Sequence, residues 1–172
     1  MNSDGNFDLN YELIRQARWA GADIAKFQVG WRGGKDSALA LHAVLAGGQY
    51  KPAGLMTTLT EGYDRISMHG VRRELLEAQA AALNLPLHKV YISQGADNAE
   101  YEAKTQAALL DFKRQGLRRV VFGDLFLEDI RAYRDRLLGE IGMEALYPVW
   151  GRDTAALARE FIALGFGAIL VC

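Results

Sequence analysis

IAKFQVGWRGGKDSALALHAVLAGG, residues 24–48, changes character twice. Its first eight residues read as a strand, RGGKDS as a glycine turn, and ALALHAVLAGG as a helix closed by the pair Gly47 and Gly48. Strand, glycine turn and helix in that order are the opening unit of a parallel α/β sheet. In such sheets ligands sit beyond the carboxyl ends of the strands, where backbone amides collect at a helix N-terminus. Gly33 and Gly34 stand at that place. They admit close backbone approach, Lys35 adds a positive charge, and Ser37 adds a hydroxyl at the first helical turn, so a polyphosphate is the expected guest.

The rest of the chain repeats the rhythm. Asp8 is an expected N-cap for a first helix over about 9–20, ended by Gly21. AGLMTTL (53–59) reads as a buried strand, and 68–83 has helical spacing at Val71, Leu75, Ala78 and Ala82, stopped by Pro86. LHKVYI is the next strand, 98–115 a long helix ending at Gly116, and RRVVFG a further strand. A helix over about 127–138, a turn with Pro148, a helix over about 153–164 and a terminal strand FGAILVC complete the pattern. Strands alternating with helices predict a parallel sheet covered on both faces, with right-handed crossovers. The segment before the turn fits least well: Ala25, Phe27, Val29 and Trp31 alternate with Lys26 and Gln28, whereas a central parallel strand is apolar on both faces.

Composition narrows the function classes. The chain has 172 residues, 50% hydrophobic and 24% charged, which suits one globular domain. Twenty basic against twenty-one acidic residues give a formal net charge of −1, so no overall field gathers nucleic acid or an anionic membrane. Trp19 and Trp31 read as packing residues, without the aromatic and basic interleaving of a nucleic-acid platform. The single cysteine, Cys172, excludes an internal disulfide and any multi-cysteine metal site, and a reducing cytoplasmic location is expected. No apolar run reaches the ~20 residues of a membrane span, and MNSDGNFD lacks a signal-peptide layout.

Two common nucleotide motifs fail. The NTPase P-loop requires a glycine where Val29 stands, Asp36 follows the lysine, and Gly-x-Gly-x-x-Gly is absent from the turn. GGKDS instead resembles the pyrophosphate loop Ser-Gly-Gly-x-Asp-Ser of enzymes that split ATP between its α and β phosphates. TTLTEGYDRISMHGVRRELLEAQAAALNLPL, VVFGDLFLEDIRAYRDRLL and YPVWGRDTAALAREFIALGFGAILVC are similar to the diphthine–ammonia ligase family and its bacterial relatives, over about 29–172. The resemblance implies a doubly wound, five-stranded parallel sheet of the HUP or adenine nucleotide α-hydrolase type, Rossmann-like, here with an extra N-terminal helix. It also implies an ATP-dependent amidation: a carboxylate becomes an acyl-adenylate, pyrophosphate leaves, and ammonia displaces AMP. Lys35, the amides at 33–37 and a magnesium ion would neutralise the leaving pyrophosphate.

Carried over by position, Arg32, Gly33, Gly34, Lys35, Asp36 and Ser37 would hold the polyphosphate, with Met56 and Thr57, at the end of their strand, and Gly123 bordering the nucleotide. Asp36 and Asp124 would be the metal side. Lys35, Asp124, Glu128 and Arg131 would be the catalytic and acceptor side, with Asp129 beside them. A second reading of LEDIRAYRDR stands beside this: a solvated helix whose Glu128, Asp129, Arg131, Arg134 and Asp135 neutralise one another. Asp124, at a strand's carboxyl end beside a glycine, is expected to meet a ligand. His69 and Arg72 face the cleft or merely cap and cover a helix. His42 and His88 read as structural, and Asp153 either joins the site or is an N-cap.

Three departures from the family shape the expectations. Arg32 replaces the loop's first serine, adding a phosphate contact or filling the phosphate's space. The chain stops at Cys172, where relatives continue into a Gly-Glu-x-Gly-Glu-x-His-Thr-like segment, so a domain over 29–172 truncated at its C-terminus is expected; an apolar edge left there would favour a homodimer. Residues 4–28, DGNFDLNYELIRQARWAGADIAKFQ, resemble the first repeat of sialic-acid synthase-type TIM barrels, placing a junction near 28–31 and giving 1–28 a different origin. The alternative function is therefore a truncated or chimeric nucleotide-binding module with little or no ligase activity. The acceptor carboxylate is not named by any residue.

Overall fold

The computed structural model describes residues 34–63, 65–67 and 71–167. Helix α1, Lys35–Gly47, starts from Gly34 in the left-handed region (φ 62°, ψ 38°), a conformation that glycine adopts without a Cβ penalty. It ends at Gly48, also left-handed, whose amide donates to the Leu45 carbonyl at 3.2 Å. Strand β1, Leu55–Thr60, is buried at every position but its last, as expected for a parallel strand with helices on both sides. It pairs in parallel with β2, Leu87–Ile92, in a register that sets Leu55 against Leu87 and Thr60 against Ile92. Helix α2, Arg73–Ala82, makes the crossover.

Helix α3, Asn98–Arg114, begins at Asp97, whose side chain accepts the Glu100 amide at 2.8 Å. Strand β3, Arg119–Val121, pairs in parallel with β4, Glu144–Leu146, and α4, Glu128–Glu140, connects them. Helix α5, Thr154–Ala163, is capped by Asp153, which accepts the Ala156 amide at 2.8 Å. Asp153 is thus the N-cap that one of its two readings described.

Neighbouring residues of β1 and β3 point into different cores. Leu55, Leu59 and Val121 join Leu39, Ala40 and Val44 of α1, Leu76 of α2, and Leu157 and Phe161 of α5. Met56 and Val120 join Leu109 and Phe112 of α3, Phe122, and Leu138 of α4. Helices therefore cover both sides of the strands: α1, α2 and α5 on one, α3 and α4 on the other.

Of the five-stranded sheet expected, the described residues show two parallel ladders, β1–β2 and β3–β4. The helix expected over 9–20, the strand expected over 24–31 and all of the strand expected over 166–172 beyond residue 167 lie outside the described residues. Strand β4 falls where only a turn was expected. Glu144-Ala-Leu is too short and too mixed to show a period, and it is held in place by pairing with β3.

Candidate functional site

The site is organised by one close approach. A Cβ built on Gly123 would lie 2.6 Å from the Ser37 nitrogen and 2.7 Å from the Asp36 carbonyl carbon. No side chain fits there, so the chain leaving β3 lies directly against the first turn of α1. Two segments far apart in sequence, Gly34–Ser37 and Gly123–Asp124, are thereby joined at one strand end. The first turn carries no side-chain cap of its own, and the Ala38 amide already bonds the Gly34 carbonyl at 2.8 Å. Gly34 and Ser37 are buried there, whereas the Lys35 and Asp36 side chains reach solvent and pair with each other.

The YPVWG loop closes over the same strand end. Phe122 donates its amide to the Leu146 carbonyl at 2.9 Å, and Gly151 donates to the Leu125 carbonyl at 2.7 Å. Phe122 stacks on Tyr147 with ring centroids 5.6 Å apart, and Tyr147 meets Trp150 edge-on at 5.7 Å. The Arg131 guanidinium of α4 lies over both rings, 5.0 Å from Tyr147 and 4.7 Å from Trp150. The Tyr147 hydroxyl donates to Asp135 Oδ1 at 2.9 Å, and burial together with this carboxylate raises its pKa well above the ordinary phenol range. Arg131 and Asp135 also approach one another, at 3.7 Å. That is one of the pairings expected of a helix that neutralises its own charges.

Asp124 has a protein partner. Its carboxylate accepts from Nη1 of Arg134, and both side chains are only 17% exposed. The same guanidinium lies 4.3 Å from the Phe122 ring centre, and its burial lowers the arginine pKa. Beside the ligand expected at this strand end, α4 returns a cation to the carboxylate one loop later. Arg134 was read only as one of the helix charges. Its signal was present, as the last residue of GDLFLEDIRAYR, but nothing local tells which carboxylate an arginine will reach.

Met56 and Thr57 do not lie at the end of their strand. Strand β1 starts at Leu55 and its carboxyl end is Leu59–Thr60, so both belong to the buried first half, each 0% exposed. Met56 packs in the second core, and Thr57 Oγ1 is buried without a hydrogen bond among the described residues. Glu128 and Asp129 are exposed in the first turn of α4, where the helix dipole favours acids. Arg72 is exposed and pairs with Glu74 at 2.7 Å. His42 meets Phe166 edge-on at 6.4 Å; His88 does the same with Phe112 at 4.5 Å, and burial lowers its pKa. Arg32, Gly33, His69, Trp19 and Trp31 lie outside the described residues.

Asp36 is paired with Lys35 and Asp124 with Arg134, and no group of three or more His, Cys, Asp or Glu side chains could hold an ion among the described residues. Asp36 and Asp124, the residues expected on the metal side, therefore each face a basic side chain in the fold. No helix among the described residues is long and apolar enough to cross a membrane.

A mixed α/β domain with parallel strands, glycines at a strand end and an uncapped helix start belongs among nucleotide-fold proteins. The match to the Diphthamide synthase N-terminal domain covers residues 25–145, so the chain belongs to that family, one of the PP-loop or adenine nucleotide α-hydrolase kind. No curated protein matches the chain.

Proposed function

We propose that this domain binds ATP against the first turn of α1 and uses it to activate a carboxylate for amide formation. The single observation that carries the reading is the abutment of Gly123 on the Asp36–Ser37 peptide, which joins the phosphate-type turn to the loop leading into α4. In the reaction, an acceptor carboxylate oxygen attacks the α-phosphorus, the bond to the β-phosphate oxygen breaks, and pyrophosphate leaves. Ammonia then attacks the acyl carbon, loses a proton, and releases AMP. The amides of the first turn and the Lys35 ammonium stabilise charge on the departing pyrophosphate. Arg131, spread over Tyr147 and Trp150, is fixed by ring stacking and can present guanidinium N–H groups to the acceptor carboxylate.

Calorimetric titration with MgATP tests the binding half, with Arg32→Ser beside the unmodified protein. Affinity in the micromolar to millimolar range, roughly −8 to −4 kcal/mol, is expected. Binding by neither protein, both folded, ends the ATP reading. The chemical half is tested by ammonia-dependent release of AMP and pyrophosphate in the presence of candidate carboxylates. Arg131→Ala is expected to leave ATP affinity within about twofold while cutting AMP release by at least about tenfold. Equal loss of both in that variant would remove Arg131 from the acceptor side.

A further inference from the structure

We propose that Arg134 is a positioning residue: it takes Asp124 as its counter-ion, stacks on Phe122, and so holds the intervening Gly123 against the first turn of α1. Asp124 is then an anchor of the loop and not a ligand of a cation. Five contacts converge on this. The Arg134 guanidinium pairs with Asp124 on one side of Gly123 and lies 4.3 Å from the ring centre of Phe122 on the other. Phe122 is itself fixed by the Leu146 carbonyl and the Tyr147 ring. Gly123, caught between them, meets the Ser37 amide with no space for a side chain, so a small displacement of residues 122–124 is passed directly to the turn at 34–37. Both members of the ion pair are largely out of water, and a buried charge that loses its partner must move or find another. The role deepens the nucleotide reading, since that same turn is where ATP is proposed to bind, but the contact itself exists without ATP.

Amide hydrogen exchange of the full chain tests the positioning without any ligand. Arg134→Met and the near-isosteric Asp124→Asn are each expected to raise deuterium uptake at 34–38 several-fold at short labelling times, with β1 and β2 unchanged. Arg114→Met, which removes a pair with Asp111 on the exposed face of α3, leaves 34–38 unchanged. Unaltered uptake at 34–38, or a rise spread evenly over the domain, overturns the proposal. ATP affinity, measured with magnesium and with EDTA, supplies the second readout. Arg134→Met and Asp124→Asn are expected to weaken ATP by about tenfold in both conditions, the double variant no further, and Arg134→Lys to recover part of the loss by restoring the charge without the planar stack. Should Asp124→Asn abolish the magnesium dependence while Arg134→Met preserves it, Asp124 is a metal ligand and the proposal fails. If the unmodified protein binds no ATP, the nucleotide reading falls and the exchange result alone decides the role of Arg134.

Discussion

Gly123 carries the tightest constraint in the described structure. Its absent side chain is what lets the β3 loop meet the helix that starts at Lys35, and the atoms in the way of a Cβ are backbone atoms that cannot swing aside. Gly123→Ala is expected to destabilise by about 1–3 kcal/mol through forced backbone displacement, read by urea denaturation, and to weaken ATP binding beyond what that loss explains. Asp153 presents a simpler case. Its carboxylate satisfies an otherwise open amide at the start of α5, so Asp153→Ala is expected to cost about 1 kcal/mol in the same assay without altering ATP affinity. If both variants alter nucleotide binding alike, Gly123 has no special place in the site.

Among the elements, α3 offers a pH-dependent contact whose sign can be worked out. Glu100, in its first turn, accepts the Ser93 amide at 2.9 Å and pairs with Lys104 at 2.8 Å, which lies one helical turn on and also reaches Glu61 at 3.3 Å. The Lys104 ammonium first, and then the Ser93 amide, hold the Glu100 pKa down at about 2, against an ordinary 4.5. A depressed carboxylate stabilises the folded state fully above the ordinary value and loses that contribution as pH falls from 4.5 through about 2. Glu100→Gln is therefore expected to flatten the acid side of the stability profile across that window, and a side-chain NMR titration should place the midpoint well below 4.5. A midpoint at the ordinary value would remove the contact from solution. In the second core, Leu138 of α4 is 1% exposed, and Leu138→Ala is expected to cost about 2–5 kcal/mol while sparing ATP affinity.

For the molecule as a whole, ligand linkage offers the broadest test. A nucleotide that binds only the folded chain stabilises it by about 2.7 kcal/mol at a hundred times its Kd. For a domain of this size that corresponds to a rise in Tm of roughly 5–10 °C with MgATP, and to a smaller rise with Arg134→Met at the same concentration. An unchanged Tm across millimolar MgATP would count against a nucleotide site of useful affinity.

How much of this was legible in the sequence depends on the reach of each interaction. Helix α1 ending at the Gly47–Gly48 pair, β2 over LHKVYI, α3 over 98–114 and the Asp153 cap were readable because caps, glycine conformations and hydrophobic periods involve residues within a few positions of one another. The turn at 32–37 and the GDLFLEDIRAYR motif likewise announced a family by their letters alone. Other features became visible only in the fold. Strand β4 exists because β3 pairs with it; Met56 and Thr57 are interior because β1 starts beside them; and Asp124 is answered by Arg134 because α4 turns back over the loop. The sequence by itself determined the local elements and the kinship. The tertiary structure alone decided which glycine touches which amide and which charge neutralises which, because those energies depend on distances between segments that no local pattern encodes.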